Sequence, residues 1–148
     1  METKFTRVRS LKDIVIFSIF IIAGILLAII PEAMGANIGG YTLIIIGVIL
    51  SFVLKSAYRN NASGVNYLHR EITFKREVKE SLVSAVKAHP EKIVISAVND
   101  GQSLKLEIYY NKKTNKAFIQ LFEYIPHQYE PCTDIFEYEF GRIEKLIK

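Results

Sequence analysis

The side chains best able to do recognition chemistry gather between residues 105 and 124. Tyr109, Phe118, Phe122 and Tyr124, with Lys105 and Gln120, fall on alternate positions of two apolar-rich segments. Aromatic rings on one face of a sheet, with a cation beside them, can stack a base or a nucleotide. The same face can also receive a helix or a second copy of the domain, because exposed aromatic patches commonly meet protein.

The other groups with chemical potential are scattered. His69, His89 and His127 stand in three different segments and read as structural or solvent-facing, so no metal ligand is expected among them. Cys132 has no basic neighbour in sequence to lower its pKa and reads as an idle thiol. Glu137, Glu139 and Glu144 fit a solvated helix face. The chain has no phosphate-cradling glycine loop, no HExxH, no paired cysteines and no GxSxG. The expectation is a protein that is not an enzyme, with no cofactor and no direct evidence for nucleic acid as a partner.

The recognition residues need a sheet to hold them. Three apolar-rich segments, residues 92–99, 102–110 and 116–125, are separated by Asp100-Gly101 and by Lys112-Lys113-Thr114-Asn115, where Asn115 can take positive φ. Pairing Asn99 with Gln102 sets Ala97 opposite Leu104, Ile95 opposite Leu106 and Ile93 opposite Ile108. Pairing Asn111 with Lys116 sets Ile108 beside Ile119 and Leu106 beside Leu121. Every residue on that face is apolar or aromatic, and a one-residue slip would turn half of them outward. The pattern predicts a three-stranded antiparallel meander with a mixed opposite face.

Before it, Val78, Leu82, Ala85 and Val86 predict a helix from about Lys75 that ends at His89-Pro90. Residues 65–74 fit either an extension of that helix or a short strand. After an irregular link at 126–131, Thr133 or Asp134 can cap a last helix with Phe136, Phe140, Ile143 and Ile147 as its apolar stripe. The fold class expected for 65–148 is α+β: helix, three strands, helix, with a helix covering the apolar face.

What places this domain is the chain ahead of it. From Ile14 to Leu54 the only charged residue is Glu32, in a Pro31-Glu32-Ala33-Met34-Gly35 break between two apolar runs. Each run has about the length needed to cross a bilayer core of roughly 30 Å. The organisation expected is a basic N-terminus at 1–12, a two-span membrane α-helical hairpin at 13–58, a linker at 59–64 and the small domain. A signal peptide ending near residue 35 is the rival reading.

Lys4, Arg7, Arg9 and Lys12 precede the first run, and Lys55 and Arg59 follow the second, while the connecting segment has no Lys or Arg. That bias places both termini in the cytoplasm, with the protein multi-pass in the cytoplasmic (inner) membrane. Lys55, Arg59, Arg70, Lys75 and Arg76 are positioned to meet anionic lipid, at about 1 kcal/mol per residue near the surface. Gly24 with Ala28, and Gly40 with Gly47, supply small-residue faces for close helix contact, within the hairpin or between copies.

This plan resembles that of membrane effectors in bacterial anti-phage systems, in which a sensed signal makes membrane anchors cluster and disrupt the bilayer. The resemblance is one of layout and carries no motif residue across. It implies a homo-oligomer whose cytoplasmic domain binds a partner protein or small ligand. A passive anchor, accessory subunit or immunity-type protein is the alternative.

Overall fold

The computed structural model describes residues 5–29, 34–96 and 99–148. They form two compact units, Met1–Val65 and Asn66–Lys148. Lys4, Ile30 to Ala33, Ala97 and Val98, which figure in the expectations above, lie outside the described residues.

In the first unit a short strand β1 (Phe5–Val8) leads into helix α1 (Leu11–Ala28), and helix α2 (Met34–Val53) returns to strand β2 (Ala57–Asn60). α1 starts where its sequence offers a cap. The Ser10 hydroxyl accepts from Asp13 N at 3.2 Å, while Asp13 Oδ2 accepts from Ser10 N at 2.8 Å, a reciprocal capping box. α2 begins at Met34, ahead of the Gly39-Gly40 pair.

The two helices run antiparallel and touch through glycine. A Cβ added to Gly24 would lie 2.7 Å from Gly40 O, one on Gly40 2.6 Å from Ala28 N, and one on Gly47 2.6 Å from Ile21 Cγ1. Such backbone-to-backbone approach is open only to residues without a side chain. At the end where the helices meet β1 and β2, Asp13 Oδ2 also accepts from Ser56 N at 2.8 Å, and Ser10 Oγ lies 2.7 Å from Ser56 Oγ. β1 and β2 pair antiparallel from Phe5↔Asn60 to Val8↔Ala57. The polar stretch expected as a linker is thus a strand end and a turn: Asn60 Oδ1 accepts from Ala62 N at 2.9 Å, and Gly64 takes φ +68°.

The second unit contains strands β3 (Asn66–Phe74), β4 (Leu104–Asn111), β5 (Lys116–Ile125), β6 (Gln128–Pro131) and β7 (Phe136–Glu139), helix α3 (Lys79–Ala88) and a short helix α4 (Phe140–Ile143) followed by a 3-10 turn. The described residues therefore hold seven strands in all, where three were expected. β4 and β5 pair in the expected register, Asn111↔Lys116, Ile108↔Ile119 and Leu106↔Leu121, with Asn115 at φ +52°.

The other side of β4 differs from expectation. Its partner is β3, with Ile72↔Leu106 and Phe74↔Leu104, and among the described residues of the strand expected over 92–99, namely 92–96 and Asn99, none is in a strand. Residues 90–92 make a 3-10 turn and Ile93 is buried in the core, but Val94, Ile95 and Ser96 are irregular. A nine-residue strand with Ile72 and Phe74 on its core face makes seven pairs with β4, more than a tight turn at Asp100-Gly101 could outweigh. Gly101 serves close approach instead, since a Cβ there would stand 2.9 Å from Lys75 Cα.

The expected last helix also shrinks. Phe136, Tyr138 and Phe140 alternate with glutamate and glycine, and this period of two wins over the capping signal: Phe136 pairs with Ile119 and Tyr138 with Ala117. The segment taken for an irregular link contains β6, which pairs with the second half of β5, as in Tyr124↔Tyr129. Between β6 and β7, Thr133 stands in for a missing strand residue. Its hydroxyl accepts from Leu121 N at 3.0 Å and its carbonyl accepts from Gln120 Nε2 at 3.0 Å. The core joins Leu104, Leu106, Ile108, Ile119 and Leu121 to Leu82 and Val86 of α3 and to Ile143 and Leu146 from the C-terminal turns.

Candidate functional site

The face of the second unit opposite that core carries the recognition residues, and the register decides who meets whom. His69 stands opposite Tyr109, Glu71 opposite Glu107 and Thr73 opposite Lys105. Further across, Tyr109 faces Phe118, Glu107 faces Gln120 and Lys105 faces Phe122.

Lys105 is the hub. Its Nζ lies 2.6 Å from Glu107 Oε1, 4.8 Å from the centre of the Tyr129 ring and 5.2 Å from that of Phe122. Burial works against its charge, but the hydrogen bond to Glu107 and the charges of Glu107 and Glu71 outweigh it, so its pKa is raised. The ammonium is held as a cation and is not poised as a base or an amine nucleophile.

The Tyr109 hydroxyl donates to Glu107 Oε2 at 2.6 Å, and its ring stacks on His69 with centroids 4.7 Å apart. His69 Nε2 lies 3.8 Å from Glu71 Oε1 and 3.9 Å from Glu107 Oε2. Among the six residues singled out from the sequence, Phe118 and Gln120 are buried, with Phe118 edge-on to Tyr67 at 5.4 Å. Neither presents its face for stacking. Tyr124 is half exposed and meets Tyr129 edge-on at 5.2 Å.

The remaining candidates disperse. Arg70 donates to the Ile147 carbonyl, and Arg76 and Lys79 lie 3.5 and 2.5 Å from the Glu123 carboxylate. Lys75 packs its backbone and stem under Gly101. In the first unit the Lys55 carbonyl accepts from Arg7 Nε at 2.5 Å, and Arg59 pairs with Thr6 across β1 and β2. Gly24, Ala28, Gly40 and Gly47 meet the facing helix of their own hairpin.

Cys132 is half-buried with its thiol toward the Leu121 carbonyl, and burial pushes its pKa up, which does not suit a nucleophile. His89 sits exposed, 3.1 Å from Glu91, and His127 adopts φ +79°. Glu137 pairs with Lys116 at 2.7 Å. Separately, an open groove of about 310 Å³ follows the β3 residues 70–74 and is closed on its other side by Ile95, Ser96 and Asp100.

Sequence reasoning read His69 as structural or solvent-facing and did not count Glu71, Glu107 or Tyr129 among the recognition residues. With 65–74 left between helix and strand, nothing placed His69 and Glu71, two apart, on one side of the chain. No family model, curated protein or solved structure matches the chain.

Proposed function

We propose that this is a non-enzymatic integral membrane protein of the inner membrane, anchored by α1 and α2 with both termini cytoplasmic. Its second unit binds a partner protein or small ligand through the Lys105, Tyr109, Phe122 and Tyr124 face. The observation that carries the membrane reading is the bare apolar surface of the hairpin. Leu11–Ala28 and Gly35–Val53 are long and apolar enough to span, and only 11% of each window is buried within the chain. Leu11, Ile19, Ile22, Ile38, Ile45 and Phe52 all lie outward and more than half exposed. A helix pair of a soluble core would bury these side chains, and a patch of that extent in water would drive aggregation.

Self-association of the hairpins, the step by which an effector of the resembled plan would perturb or gate the bilayer, has one supporting feature. Gly35 and Gly39 lie four apart near the start of α2 with no atom of the described residues within 4 Å of an added Cβ, which leaves that surface open to another copy. The passive-anchor or accessory-subunit reading is favoured by a different feature. Gly24, Gly40 and Gly47 are fully used in closing the hairpin on itself.

Three measurements test this. In fractionated cells the chain should need detergent to leave the membrane. In a Cys132→Ser background, Lys113→Cys should react with an impermeant maleimide only after the cells are opened. Labelling of intact cells sinks the orientation, and a chain that is soluble without detergent sinks the anchor. The particle released by mild detergent should hold several copies if the hairpins self-associate; a single copy with a fixed companion supports the accessory reading.

A further inference from the structure

We infer that His69, Glu71 and Glu107 form a site for a divalent transition cation, zinc foremost. The inference concerns the second unit alone and does not depend on the membrane reading.

β3 sets His69 and Glu71 on one side of the strand, and β4 sets Glu107 directly opposite Glu71. Two carboxylates facing each other across an antiparallel pair repel, and that arrangement is normally selected against. Lys105 bonds Glu107, and its charge also acts on Glu71. A dication between the strands turns the repulsion into ligation.

The distances allow it. His69 Nε2 is nearly equidistant from Glu71 Oε1 and Glu107 Oε2, at 3.8 and 3.9 Å, and the three donor atoms lie within 4.8 Å of one another. A point equidistant from such a triangle sits about 2.5 Å or less from each atom, within a few tenths of an ångström of the roughly 2.0–2.2 Å of zinc bonds. Glu71 can supply that movement because its side chain is half exposed.

The surroundings match those of a metal ligand set. The Tyr109 ring holds the imidazole plane by stacking, and its hydroxyl bonds the very oxygen, Glu107 Oε2, that points at His69. Lys105 fixes the other oxygen of Glu107. Such contacts orient first ligands and sharpen affinity. One imidazole and two carboxylates suit zinc or manganese and lack the thiolate that a copper(I) or iron–sulfur site would use. Three protein ligands leave a coordination position for water or for the donor atom of a ligand on the same face.

The test uses the full chain in detergent, stripped with chelator and titrated with zinc alone near pH 7.5, with bound metal counted after dialysis. One zinc per chain is expected. Glu71→Gln, at a half-exposed position, should weaken binding at least about tenfold with the fold retained, whereas Glu130→Gln on β6 should not change it. In the unsubstituted chain, Mn²⁺ should broaden the ring signals of His69 and leave those of His89 and His127 sharp. Zinc below stoichiometry, equal affinity in Glu71→Gln, or broadening centred on His89 beside Glu91 overturns the site.

Discussion

Gly39 and Gly40 are neighbours on α2, yet the same methyl group should act on them in opposite directions. Beside Gly39 an added Cβ meets no atom of the described residues within 4 Å, so within one hairpin Gly39→Ala gains only helix propensity, about 0.5–1 kcal/mol. At Gly40 the Cβ would lie 2.6 Å from Ala28 N, 2.7 Å from Gly24 O and 3.0 Å from Ala28 Cα, all backbone that cannot rotate aside. Reaching ordinary contact requires the helices to part by about 0.8 Å, a gap that forfeits a quarter to half of the dispersion energy along the seam. Propensity cancels between the two variants, so Gly40→Ala should close the hairpin less tightly than Gly39→Ala by about 1–3 kcal/mol. The assay is energy transfer between dyes on Leu11→Cys and Val53→Cys, both well exposed, in a Cys132→Ser background during titration with a denaturing detergent. Equal midpoints for the two alanine variants, or a later midpoint for Gly40→Ala, would refute the glycine-to-backbone seam.

Three further outcomes follow from particular bonds. Asp13→Ala removes the acceptor for Ser10 N and Ser56 N and should cost about 1–3 kcal/mol in the same opening assay, with Asp13→Asn milder because it keeps an oxygen. Thr133→Val keeps the shape but leaves the Leu121 amide without its hydroxyl acceptor; about 1–3 kcal/mol should be lost in denaturant unfolding, and Thr133→Ser should restore most of it. The Glu123 pKa is lowered from 4.5, first by the hydrogen bond from Lys79 and then by the charges of Lys79 and Arg76, outweighing a burial effect that raises it. Because the folded value lies below the unfolded one, the stabilisation is complete above about pH 4.5 and lost as pH falls through the lower folded value. Glu123→Gln should therefore flatten the acid limb of a stability-against-pH curve while leaving its slope near neutrality unchanged.

Features carried by neighbouring residues were legible in the sequence. The apolar runs of α1 and α2, the α3 stripe of Leu82 and Val86 ending at Pro90, and the β4–β5 hairpin with its Asn115 turn all depend on contacts a few residues apart. The features that stayed hidden join distant segments. β3 displaced the local hairpin at Asp100-Gly101 because pairing across thirty or more residues buries Ile72 and Phe74 against Leu106 and Leu104, which residues 92–99 could not be seen to compete with. Phe136 to Phe140 carried both a helical and an alternating pattern, and the open edge of β5 selected the second.

The sequence by itself determined two spanning-length apolar helices and the register of one hairpin, since hydropathy and turn chemistry are properties of short windows. The tertiary structure alone decided that Gly24, Gly40 and Gly47 face one another, that Lys105 is caged by Glu107, Phe122 and Tyr129, and that His69, Glu71 and Glu107 converge. Each of those meetings needs two chain segments brought side by side, and the register of long-range pairing, which no single window encodes, fixes which side chains arrive together.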